Sequence, residues 1–109
     1  MSYIEVEMKD ETLKLEYDRT SIIEMEKMGY NAINPSEHLY TNFEILVYGS
    51  LLKHQPKTKW KDAVEICEFL KEEYGMMDVI QNLSEMVNEV FILEGKSGKK
   101  LVRMAKSQA

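Results

Sequence analysis

Two short segments near the start of the chain alternate in polarity, and no later segment does. In 3-YIEVEM-8, Ile4, Val6 and Met8 fall on one side and Tyr3, Glu5 and Glu7 on the other. In 12-TLKLEY-17, Leu13, Leu15 and Tyr17 repeat the pattern. Period-two alternation marks half-buried strands. The intervening Lys9-Asp10-Glu11 is short enough for a hairpin turn, although it lacks the Asn-Gly or Asp-Gly pair that favours one. A lone hairpin is marginally stable in water, so its apolar face must pack on helices or on another chain.

Beyond the hairpin the spacing becomes helical. Residues 21–28 predict a first helix, with Ser21 and Glu24 as a capping box, Ile22, Met25 and Met28 on the buried face, and Gly29 as the stop. A loop around Asn34-Pro35 precedes a second helix over 42–54, with Thr41 and Glu44 as its capping box. Phe43, Leu46, Val47, Ser50, Leu51 and His54 share its spacing. Gly49 inside it costs about 1 kcal/mol relative to alanine, which implies that a neighbouring element approaches closely there. Pro56 ends this helix. Thr58 caps a third helix to Tyr74, with Trp60, Val64, Cys67, Leu70 and Tyr74 on one face and Gly75 as the stop.

A fourth helix over 76–93 is the most apolar, and Gly95 ends it. Met76, Ile80, Leu83, Val87 and Val90 recur at steps of four, three, four and three, a heptad-like stripe. Val79, Met86 and Phe91 widen the stripe, and Met77, Ile92 and Leu93 extend the apolar surface over more than half the circumference. Strands followed by helices predict an α+β, mostly helical fold, with residues 1–93 as a single domain and residues 94–109 as a flexible basic tail.

At 109 residues the chain has room for one modest core, and no apolar run approaches the ~20 residues needed to span a bilayer. The acidic, alternating N-terminus does not look like a secretory signal, and the expected location is cytoplasmic. The net charge of -5 divides unevenly: residues 94–109 carry five basic side chains and one acid, leaving -9 on residues 1–93. An acidic body argues against nucleic-acid binding by the folded part, while the basic tail leaves contact with nucleic acid or an acidic protein open.

No motif carries chemistry. His54 reads as a helix C-terminal residue complementing the dipole. His38 stands sixteen positions earlier, and no cysteine or acid lies at zinc-ligand spacing from either histidine. Cys67, the only cysteine, falls on an apolar helical face, the usual place of a core thiol. Ser50 shares a face with His54 but reads as a packing residue. The five glycines build no phosphate loop. The expectation is therefore no enzyme, with no catalytic residue, cofactor or metal site.

What remains is a surface for protein. Of eight methionines, Met25, Met28, Met76, Met77 and Met86 lie on or beside the helical stripes, and methionine is adaptable at binding surfaces. The fourth helix has more apolar surface than a small domain easily buries, so Met76, Ile80, Leu83, Val87 and Val90 are the candidate partner-binding residues. The hairpin is the second choice.

The order of the strand pair leading into Asp18-Arg19, the EMEKMGYN helix end, and Tyr48-Gly49-Ser50-Leu51-Leu52-Lys53-His54 before Pro56 resembles the tail assembly chaperones of long-tailed bacteriophages and prophages of Gram-positive hosts. The resemblance covers residues 3–72. It implies a non-enzymatic protein of the host cytoplasm that binds the tape-measure protein and keeps it soluble before the tail tube polymerises. It also implies possible recruitment of the tail tube protein and absence from the finished virion. Many such phages also make a longer, frameshifted product with a tube-binding domain. Homo-oligomerisation stays open. The alternative is a small regulatory adaptor or antitoxin-like protein masking a partner through the same apolar helix.

Overall fold

The computed structural model describes residues 2–31 and 38–96, with side chains of the last helix described through Ile92. The fold is α+β and mostly helical. Strands β1 (Ile4–Met8) and β2 (Glu11–Leu15) precede helices α1 (Arg19–Lys27), α2 (Leu39–Leu52), α3 (Trp60–Tyr74) and α4 (Met76–Lys96).

The hairpin pairs Ile4 with Leu15 and Val6 with Leu13, so the apolar sides of both strands coincide. Lys9 and Asp10 form its two-residue turn with φ of 50° and 64°. Positive φ at both central residues defines a type I′ turn, whose twist matches that of the strands. Each non-glycine residue held there costs about 1–2 kcal/mol. Lys9→Asn combined with Asp10→Gly should therefore raise stability by about 1 kcal/mol. Chemical denaturation would show a higher midpoint at unchanged slope; an unchanged midpoint would mean the turn is not strained.

α1 starts earlier than its expected capping box. Asp18 is the N-cap: its Oδ1 accepts from Ser21 N at 2.8 Å, and Asp18 N donates to Ser21 Oγ at 2.9 Å. Ser21 thus closes the box from inside the helix, and Glu24 is free to pair with Lys27 instead. Gly29 does end α1, at φ 103°, with Gly29 N donating to Glu26 O and Tyr30 N to Met25 O, a Schellman motif. Ile22 and Met25 are buried, but Met28, at the C-cap, is exposed.

α2 also begins before its expected cap. His38, at φ 57°, is its N-cap and makes no side-chain capping bond, so Thr41 and Glu44 lie inside the helix. The helix stops at Leu52, and Lys53 and His54 form the turn beyond it. The loop around Asn34-Pro35 falls outside the described residues. α2 buries residues on nearly every side, including Phe43, Ile45, Leu46, Val47 and Leu51, as expected of the central element. It packs against α1, α3, α4 and β2. Gly49 lies where α1 crosses, directly under Met25.

Thr58 does not cap α3. Its hydroxyl donates to Gln55 O at 2.7 Å, while Lys59 takes the N-cap position and its N–H donates to Asp62 Oδ2 at 3.3 Å. The buried face of α3 is Ala63, Ile66, Cys67 and Leu70; Trp60 and Tyr74 at its ends are exposed and Val64 only half-buried. Gly75 ends α3 at φ 85°. Gly95, in contrast, lies within α4, which runs to Lys96. A glycine costs a helix about 1 kcal/mol, not enough to end one by itself. Of the tail expected over 94–109, residues 94–96 are therefore helical and the rest lies outside the described residues.

Candidate functional site

The expected contact stripe on α4 divides into two parts. Leu83, Val87 and Val90 are core residues, with Val87 fully buried. Met76 and Ile80 are half-buried against that core. The stripe of four- and three-residue steps is the face that α4 turns to α2 and α3, so most of it is spent inside the molecule. Of the five candidate partner-binding residues, Met76 and Ile80 keep accessible surface, while Leu83, Val87 and Val90 are enclosed within the monomer. The apolar surface left outside belongs to its neighbours: Met77 is 61% exposed, Phe91 44% and Ile92 60%.

Near the C-terminal end of α4 this surface is continuous with α1. Arg19, Ile22, Ile23 and Glu26 from α1 and Val90 and Phe91 from α4 line an open hollow of about 320 Å³. Ile22 and Val90 form its buried floor, while Ile23 and Phe91 are exposed on its walls. Arg19 and Glu26 are its two charged residues. An apolar floor with polar residues around it is the usual anatomy of a surface that receives protein. Phe91 and Ile92 were visible in the sequence as part of the apolar circumference. Ile23 was not, because a single apolar residue beside a helix stripe has no periodic signal of its own.

The reactive residue types sit elsewhere. Cys67 is buried, and desolvation by burial pushes its thiol up to about 12, which leaves almost no thiolate near neutral pH. Ser50 is fully buried, and its hydroxyl donates to Val47 O at 2.7 Å, a packing role. Among the described residues no three His, Cys, Asp or Glu side chains gather in a metal-binding group, and no helix is long and apolar enough to cross a membrane.

His54 has a partner that its place at the end of a helix did not reveal. Glu16 follows β2, and its backbone N–H donates to Ser50 O at 2.9 Å, which seats the residue on α2. Its carboxylate accepts from Lys53 Nζ at 2.6 Å and lies 2.8 Å from His54 Nε2, which donates to it because a carboxylate only accepts. The hydrogen bond from Lys53, then that from His54, outweigh desolvation and hold the Glu16 carboxyl at about 2. The folded value lies below the ordinary 4.5, so the stability Glu16 contributes is complete above that value and is lost as pH falls toward 2. The Lys53 and His54 side chains are 30% and 31% exposed, and solvent screening limits the effect to about 1–2 kcal/mol. Glu16→Gln should accordingly flatten the acid limb of a stability-against-pH curve. An acid limb equally steep in the variant would assign acid sensitivity to other carboxylates.

The chain is a small, mostly helical protein with apolar side chains exposed on its described surface and its thiol and the Ser50 hydroxyl buried in the core. The chain belongs to the family of the Domain of unknown function (DUF5055), whose model matches residues 1–106. No curated protein and no solved structure matches it.

Proposed function

We propose that this chain is a non-enzymatic tail assembly chaperone of a long-tailed bacteriophage or prophage. It binds apolar helical segments of the tape-measure protein and keeps that client soluble in the host cytoplasm during tail assembly. The observation that carries the reading is the α1–α4 hollow, where Ile23 and Phe91 stay exposed after the core is complete, with exposed Ile92 next to Phe91 in the chain. The order of motifs over residues 3–72 supplies the client. An amphipathic client helix laid into the hollow would set its apolar side on Ile22 and Val90, with Arg19 and Glu26 available to its polar flanks. Several copies along one long client would hold it by avidity, without tight single contacts.

Co-expression of the full chain with the tape-measure protein of the same tail gene cluster tests this. The wild-type chain should bring the client into the soluble fraction and co-elute with it. Phe91→Asp combined with Ile92→Asp should abolish both while leaving helicity unchanged, since the few hot-spot side chains at the centre of an interface each cost about 2 kcal/mol or more when lost. A client that stays insoluble with the wild-type chain would sink the reading. A client still held by the folded double variant would move the contact away from α4.

A further inference from the structure

The two edges of the hairpin are treated differently. At the β2 edge the side-chain amide of Gln55 closes the ladder: Lys14 N donates to Gln55 Oε1 and Gln55 Nε2 donates to Lys14 O, both at 3.1 Å. Two residues further, Glu16 N donates to Ser50 O. The backbone groups of Lys14 therefore point away from β1. In an antiparallel pair, those of its partner Glu5 must then point away from β2, and so must those of Glu7 two residues on. Among the described residues, nothing hydrogen-bonds these outward N–H and C=O groups. The inner face of the same strand, at Ile4 and Val6, forms part of a groove of about 440 Å³ whose other walls include Leu15, Tyr74, Val79 and Leu83.

We infer that β1 is a docking edge for an extended segment of another protein in which basic and apolar residues alternate. Residues paired across a sheet share a face. Partner residues opposite Glu5 and Glu7 would thus stand on the solvent face beside two carboxylates. Those between them would point inward, next to Ile4 and Val6 and toward the apolar groove. Asp78 is the one acid lining the groove itself, on the inner side, apart from the two carboxylates of the solvent face. Lys14, paired with Glu5 and lying over the Tyr3 ring, is the basic residue of this surface. A second copy is disfavoured as occupant. Antiparallel β1–β1 pairings centred on Glu5, on Glu7 or between them bring carboxylate directly opposite carboxylate, and directly opposed like charges destabilise a sheet. A short edge with two acids also discourages self-association. Discouragement alone would need neither the adjoining apolar groove nor closure of only the opposite edge. This surface is separate from the α1–α4 hollow and does not rest on the client proposed for it.

The test uses the full chain and a fluorescent, end-blocked peptide of alternating lysine and valine, with a glutamate–valine peptide as comparison. Saturable binding of the basic peptide is expected, with new slow exchange of the Glu5 and Glu7 amides. Binding should weaken at least about tenfold in Glu5→Lys/Glu7→Lys, which alters exposed side chains only, and in Glu7→Pro. The latter removes an outward donor and spares the ladder. Equal affinity for both peptides, or unchanged affinity in either folded variant, would overturn the proposal. So would slow exchange of the Glu5 and Glu7 amides without peptide, which would mean that another part of the chain or a second copy already holds the edge.

Discussion

Val87→Asp, and likewise Leu83→Asp, should unfold the domain. Val87 is 0% exposed and Leu83 1%, both in the layer where α4 meets the central helix. Losing either side chain from the core costs about 1.5–3 kcal/mol of apolar transfer, and an aspartate there adds a carboxylate without a partner, worth several kcal/mol more. A domain of this size has only about 5–15 kcal/mol in total. Circular dichroism should show lost helicity, or a melting transition lowered by about 20 °C or more. Phe91→Asp and Ile92→Asp change side chains that already face water and should stay within about 1 kcal/mol of wild type. A folded Val87→Asp protein would mean that α4 is not docked as described, and would make the whole stripe available to a partner again.

Gly49→Leu should be nearly as damaging, for the opposite reason. A Cβ at this position would fall inside the van der Waals envelope of Met25 Sδ and Cγ. Methionine is flexible, but Met25 is fully buried, so a shift of its side chain must displace close-packed core neighbours. Alanine regains about 1 kcal/mol of helix propensity and loses about 1–3 to overpacking, a net loss of about 1 kcal/mol. Leucine adds three more heavy atoms to the same contact, and we expect a loss of about 3 kcal/mol or more. Combining Gly49→Leu with Met25→Ala should be less harmful than the sum of the two by at least about 1 kcal/mol, because the truncation makes the space the leucine needs. Urea midpoints at constant slope measure this; strict additivity would show that the two residues do not meet.

The hairpin and the core of α2 were legible because each repeats a simple period. Ile4, Val6, Leu13 and Leu15 form one apolar face in pairs, and Phe43, Leu46, Val47 and Leu51 are buried as their spacing requires. Gly49 was legible as a close approach, since an interior glycine in an apolar helix needs a reason. Caps were read less well. Ser21 and Thr58 have the right chemistry for N-caps, yet Asp18 and Lys59 hold those positions, because several residues near a helix start can serve its first N–H groups and the chain's path selects among them. The candidate surface was half legible. Periodicity identified which face of α4 is apolar, but it cannot distinguish a face covered by α2 and α3 from one left for a partner.

By itself the sequence determined that two strands precede four helices, where glycine stops α1 and α3, and that α4 carries more apolar surface than its polar face balances. These are local properties, set by side-chain period and backbone freedom. Only the tertiary structure decided that Leu83, Val87 and Val90 lie inside while Phe91 and Ile92 remain outside, that Glu16 gathers Lys53 and His54, and that Gln55 closes one edge of the hairpin and leaves the other open. Each of these joins residues more than thirty positions apart or depends on which neighbour covers a face, and no spacing along a chain records which distant segment will arrive to cover it.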